Sequence, residues 1–209
     1  RAVSGGDFQE RAPAGRDEIG ELGNAFNIMT QELEGSRGEL HQRNIDLSAL
    51  SVAAAVMVTS EDLEEALRRV LDKVIEMLGV KAGWIFQLNP ASGRLELTVH
   101  RGLSPEFAQR EATLEMKECI CTRVLEEKAP LVAQNILECP RQGKAAVEKE
   151  GLRCHASIPL KSRAGVVGVM NIASESLREF SAYELELMTS IGQMVGLAIE
   201  NAHLWRDVS

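Results

Sequence analysis

The stretch GLRCHASIPLKSRAGVVGVMNIAS, residues 151–174, decides the fold. CHASIPLKS reads as one strand, Arg163-Ala164-Gly165 supplies a turn, and GVVGVMNIAS reads as a second strand. The second is apolar almost without interruption, which marks a strand near the centre of a sheet. Working outward, Val80, Ala82, Trp84, Phe86 and Leu88 alternate with other residues, NPASGR turns the chain, and Leu95, Leu97 and Val99 alternate again. That is a hairpin, and PLVAQ (130–134) adds a further short strand. On one side of these strands EDLEEALRRVLDKVIEMLG places Leu63, Leu67, Val70, Leu71, Val74 and Leu78 on one helical face. Thr59 with Asp62 fits a capping box for that helix, and Gly79 stops it. On the other side SAYELELMTSIGQMVGLAIENAHLW, residues 181–205, is a long helix. The expected class is α+β: a mixed, mainly antiparallel sheet flanked by helices, with both ends of the chain helical.

The first 21 residues are rich in Gly, Pro and charge and read as connector. From Leu22 onward, steps of four and three reach Phe26, Met29, Leu33, Ser36, Leu40, Arg43, Leu47, Leu50, Ala54 and Met57. A seam this narrow and long needs a partner helix, most simply the same helix of a second copy. Gly35 and Gly38 soften it, each by about 1 kcal/mol relative to Ala. Leu187, Ile191, Met194, Ala198, Asn201 and Trp205 repeat the same stepping, so the last helix is expected to pair as well and to make the homodimer with the Leu22–Met57 helix.

Bulk properties set limits on function. The chain has 209 residues, 44% of them hydrophobic, enough for a real core. A net charge of −8 has the wrong sign for a phosphate backbone, and no basic stripe interleaves with aromatics, so nucleic acid is excluded as a partner. No run of about 18 apolar residues and no signal peptide is present. The chain reads as a piece of a longer protein, with a membrane segment expected upstream.

Four cysteines carry the chemistry. Cys119 and Cys121 form a C-x-C at the start of the helix TRVLEEK, Cys139 lies in the loop ECPRQGK, and Cys154 opens a strand beside His155. A set of reduced thiols points to metal, cofactor or redox chemistry ahead of structural disulfides. Four thiolates match an iron–sulfur cluster or a structural zinc, with Cys119, Cys121, Cys139 and Cys154 as ligands. Against this, the spacing is no ferredoxin or zinc-finger run, and C-x-C strains the bite of a small tetrahedral site. Buried thiols acting as small hydrophobes, a thiol switch, and haem near Cys154 and His155 are the other readings. The remaining histidines read as solvated or partly packed, and His41 lacks the surroundings of a kinase phosphoacceptor.

Two families are carried by these residues. GDFQERAPAGRDEIGELGNAFNIM resembles the second half of a HAMP domain, with Asp17–Gly20 preceding a helix marked by Leu22, Phe26, Asn27 and Met29. The stretch from about Leu47 to Trp205, above all residues 151–174 and 178–205, resembles a GAF domain. Together they imply a HAMP-like relay over residues 1–33, a coiled-coil linker over 34–58, a GAF-like sensor domain over 59–205 and the start of an output linker over 206–209. The resemblance also implies a small molecule, gas or redox cofactor in a pocket walled by the cysteine segments, and the four thiolates put an iron–sulfur cluster before haem or zinc as its occupant. The chain would then be the cytoplasmic portion of an inner-membrane-anchored receptor, non-catalytic itself. A downstream output is expected, and the exit helix resembles those feeding histidine kinases of the nitrate-sensor type. Cyclic-nucleotide-binding members carry Asn-Lys, then Phe and, three residues on, Asp-Glu; here Ile172 follows Asn171, and Glu184-Leu185 follows Phe180, so that ligand is disfavoured. A bilin is disfavoured because Cys154-His155 directly adjoins ASIPL and aromatics are few. The alternatives are a thiol enzyme of the free methionine sulfoxide reductase type, disfavoured by the placement of Cys139 and Cys154, and a dimerisation module with an empty pocket.

Overall fold

A computed structural model describes residues 18–57, 63–113, 119–136 and 144–208. The chain divides into two compact units, residues 1–47 and 48–209. The capping box at Thr59 and Asp62, Asp17 of the HAMP-like motif, and Cys139 lie outside the described residues.

The heptad segment is one helix, α1 (Glu18–Met57). In the first unit its seam faces outward: Leu22, Met29, Leu33, Leu40 and Leu47 are between 49% and 73% exposed. A different helical face holds the buried Gly20, Gly23 and Thr30, with the Thr30 hydroxyl donating to the Phe26 carbonyl at 2.5 Å. The apolar stripe and the buried stripe are thus separate surfaces of one helix, as 3.6 residues per turn requires for positions one or two apart such as Leu22 against Gly20 and Gly23, and Met29 against Thr30.

In the second unit, α2 (Leu63–Leu78) buries Leu67, Val70, Leu71, Val74 and Leu78, the face expected from the sequence, and Gly79 ends it at φ 59°. Each of those side chains contributes about 1.5–3 kcal/mol by leaving water. The strands β1 (Ala82–Leu88) and β2 (Leu95–Arg101) form the hairpin. Two short helices follow, α3 (Pro105–Thr113) and α4 (Ile120–Glu127), then β3 (Leu131–Ala133) and α5 (Lys144–Glu150). The strands β4 (Cys154–Lys161) and β5 (Val166–Ser174) and the long α6 (Ala182–Val208) complete the chain. Helices α3 and α5 are additions to the sequence reading.

The sheet order is β2-β1-β5-β4-β3, and every pairing is antiparallel, with β5 central as its composition requires. Alternation along the strands builds two cores. Ile85, Val99, Cys154, Ala156, Ile158, Leu160, Met170 and Ile172 pack with α2 and α6 on one face. Trp84, Phe86, Val169 and Ala173 pack with residues of α3, α4 and α5 on the other. The structure corrects the expected seam of the last helix: Leu187 and Ile191 are 3% and 0% exposed inside the first core, so neither is available to a partner helix. Among the described side chains of α6, the exposed large apolar ones are Leu197 and Leu204.

Candidate functional site

The site lies on the face of the sheet away from α2 and α6. Register brings Trp84 of β1 opposite Asn171 of β5, and Asn171 opposite Ser157 of β4. The next row holds Ala82, Ala173, His155 and Ala133, so three methyl-sized residues flank the one imidazole. The Trp84 and His155 rings sit 6.2 Å apart at 33°. Trp84, His155, Ser157 and Asn171 are all buried, at 4% exposure or less.

Asn171 organises the polar row. Its Oδ1 accepts from the Ser157 hydroxyl at 2.5 Å and from the Cys121 thiol at 3.4 Å. Among the described residues, neither its Nδ2 nor the Trp84 indole Nε1 has an acceptor. Turning the amide over would exchange its two ends and leave the oxygen without a donor instead, so one end of Asn171 stays open either way. Two buried groups in this condition on facing residues are uncommon, since a buried donor without a partner costs about 1–3 kcal/mol.

Cys119 and Cys121 reach this face through α4. Cys119 is the N-cap residue, extended at φ −105°, and its carbonyl accepts from the Thr122 hydroxyl at 2.7 Å and the Arg123 N–H at 3.2 Å. Both thiols are buried in the second core with Val124. Cys154 departs from the expectation. Its side chain belongs to the first core, with the thiol donating to the Ser176 carbonyl at 3.4 Å. A sheet separates it from Cys119 and Cys121, so the four cysteines do not surround one cluster. Among the described residues no group of three or more His, Cys, Asp or Glu side chains gathers as a metal ion would need. The donor set therefore does not fit the iron–sulfur or zinc reading; for haem near Cys154 and His155, the two side chains lie on opposite faces of the sheet and cannot both reach one iron. Trp84, Ser157 and Asn171 are the site residues that cysteine counting passed over. Their signal was polarity at one parity in strands otherwise apolar.

The helices over this face are held to one another by polar contacts. Ser104 caps α3, accepting from the Phe107 N–H at 3.2 Å, and both its N–H and its hydroxyl donate to the Glu150 carboxylate at 2.8 and 2.6 Å. Lys149 and Glu106 form an ion pair beside it, and Lys81 Nζ donates to the Glu150 carbonyl at 2.7 Å. On the opposite side Arg178 donates to the Leu78 carbonyl at 2.9 Å, pairs with Glu184 and covers the Phe180 ring at 5.0 Å, joining the end of α2 to the start of α6.

Comparison with known proteins agrees with this architecture. A family model for the GAF domain matches residues 60–200, and one for the HAMP domain matches residues 1–35. The sensor histidine kinase YhcY of Bacillus subtilis is 27% identical over 163 residues, which cover 76% of this chain and 43% of that protein. A Nif-specific regulatory protein of Azospirillum lipoferum is 25% identical over 170 residues, covering 77% of this chain and 27% of its own length. The chain thus spans less than half of these relatives. Among solved structures, the GAF domain of a phosphoenolpyruvate-protein phosphotransferase from Coxiella burnetii aligns at a TM-score of 0.64 and 18% identity, over 77% of this chain and 98% of that one. The free methionine-R-sulfoxide reductase of Neisseria meningitidis, solved with its substrate, aligns at 0.62 and 15% identity, over 77% and 90%. These two share the fold. With its model matched across most of the second unit and a HAMP segment ahead of it, the chain belongs to the GAF domain family and is a sensory signal-transduction module.

Proposed function

We propose that this module is the input and relay part of a membrane-anchored sensor histidine kinase, acting as a homodimer and binding a small molecule on the Trp84–Asn171 face of its sheet. The observation that carries the reading is the exposed seam of α1, where Leu33, Leu40 and Leu47 recur every seventh residue at 49%, 58% and 64% exposure. A monomer gains nothing from leaving such a stripe in water, whereas a second copy buries it in heptad register. The HAMP segment at residues 1–35 and the kinase relative support a membrane anchor upstream and a catalytic output downstream. No described helix is long and apolar enough to cross a membrane.

The connection from site to exit follows from β4. Its His155 and Ser157 face the site, and its backbone on the other side meets α6 directly: a Cβ on Gly192 would stand 2.8 Å from the Pro159 carbonyl oxygen, and one on Gly196 2.2 Å from that of Lys161. Glu200 of α6 accepts N–H bonds from Ala164 at 3.0 Å and Arg163 at 3.3 Å at the β4–β5 turn. A ligand that displaces β4 therefore displaces α6 without a compressible layer between them, which is what a two-state relay needs. The test is a fusion of the chain, through Val208, to a histidine kinase core. Trp84→Phe and Leu40→Glu are expected to change autophosphorylation, and a fusion indifferent to both contradicts the proposal.

A further inference from the structure

Residues 35–43 of α1 depart in two independent ways from what a paired helix requires. The first is in the backbone. Gly35 and Gly38 sit in unbroken helix, where each makes local melting about fivefold easier than Ala would. The glycines of α6 have a packing reason, since a Cβ at Gly192 or Gly196 would press on a β4 carbonyl oxygen at 2.8 or 2.2 Å. At Gly35 and Gly38 a Cβ would have nothing within 4 Å among the described residues. A partner helix supplies no reason either. With Leu33 and Leu40 at the same seam position of successive heptads, Gly35 and Gly38 fall on the side turned away from the seam.

The second departure is in the seam itself. Its layers run Leu33, Ser36, Leu40, Arg43, Leu47, so every other layer is polar here. All five residues are exposed on α1, and Arg43 has only a loose partner on its own helix, Glu39 at 4.0 Å. In a parallel pair Arg43 meets its counterpart in the second copy, a like charge where an apolar side chain would hold the helices together. Weak backbone and weak seam thus coincide over one segment, with no packing gain to offset them. That combination is expected where a protein keeps an element of low stability for use.

We propose that residues 35–43 are a weak joint built into the paired α1 helices, a two-state element that opens locally while the layers up to Leu33 and from Leu47 onward stay paired. The proposal rests on the homodimer reading above. Closing couples the two flanking stretches of helix, opening lets their packing change separately, and whatever biases this equilibrium biases the output.

Hydrogen exchange along α1 in the 209-residue chain tests the joint. Amides of residues 36–44 are expected to exchange at least about tenfold faster than those of 24–32 and 48–56. Gly35→Ala with Gly38→Ala should slow residues 36–44 by about thirtyfold, two helix propensities combined, and leave the flanks unchanged. Uniform protection along α1 in a chain that sediments as a dimer overturns the proposal and leaves the homodimer standing, whereas a monomer overturns both. A working joint must also move the output. In the fusion to a histidine kinase core, Gly35→Ala with Gly38→Ala closes the joint and Arg37→Gly opens it, so autophosphorylation is expected to move in opposite directions. Autophosphorylation indifferent to both overturns the proposal, because a merely structural weakness would alter exchange alone.

Discussion

Cys154 and His155 are adjacent in β4 and lie on opposite faces of the sheet, because side chains alternate along a strand. That parity was legible in the sequence: Cys154, Ala156, Ile158 and Leu160 form one apolar set, while His155 and Ser157 form the other. Counting cysteines overlooked it, and with it the metal reading lost a ligand. The thiols of Cys119, Cys121 and Cys154 are 4% exposed or less, so they behave as small core side chains. In a Cys139→Ser chain, an aromatic disulfide reagent is expected to label them only at the rate of unfolding, and prompt labelling of any one would contradict the burial. Glu184 makes a second prediction at this scale. Burial alone raises its pKa, but the Ser181 N–H and hydroxyl and the Arg178 guanidinium outweigh this and hold it below the ordinary glutamate value. A folded-state pKa below the unfolded one stabilises above the unfolded value and loses that contribution as pH falls through the folded value. Glu184→Gln should therefore cost about 1 kcal/mol at neutral pH, and the difference from the parent chain should vanish in melts run below the carboxylate range.

Among the elements, α2, the hairpin, β4, β5 and α6 were readable because each carries either a strong periodicity or a long apolar run. Helices α3 and α5 were not, being 9 and 7 residues long and too short for periodicity to separate from chance. Ser104 followed by Pro105 was the available signal for α3, an N-cap and first-turn pair. The stepping along α6 was misassigned because four-three spacing describes any apolar helical face, and here Leu187 and Ile191 serve the domain's own core. The contact of α6 with β4 yields a prediction. Gly196→Ala gains about 1 kcal/mol of helix propensity, but its methyl would meet the Lys161 carbonyl at 2.2 Å, a backbone atom that cannot swing away. Overpacking of about 1–3 kcal/mol should win. A lower unfolding midpoint in denaturant checks this, and an unchanged or higher one would mean that α6 does not seat on β4 as described.

For the whole molecule, the sequence made fold class and order of segments legible, since helix, sheet and helix each leave their own period. Site chemistry was less legible, because it depends on which faces of four strands meet, and that is a property of register. The polar row of Trp84, Asn171 and Ser157 becomes a site only when β1, β5 and β4 are laid side by side. In the proposed relay, that site becomes a signalling device through the pairing of two chains along α1, where the large apolar side chains at Leu22, Met29, Leu33, Leu40 and Leu47 are exposed. Sedimentation equilibrium of the 209-residue chain tests this pairing most directly, against a monomer mass of 22.9 kDa. The account predicts a dimer that Leu33→Glu with Leu40→Glu converts to monomer while the GAF domain's unfolding transition stays in place; a parent chain that sediments as a monomer at concentrations up to about 100 μM, well above a typical specific Kd, would contradict it.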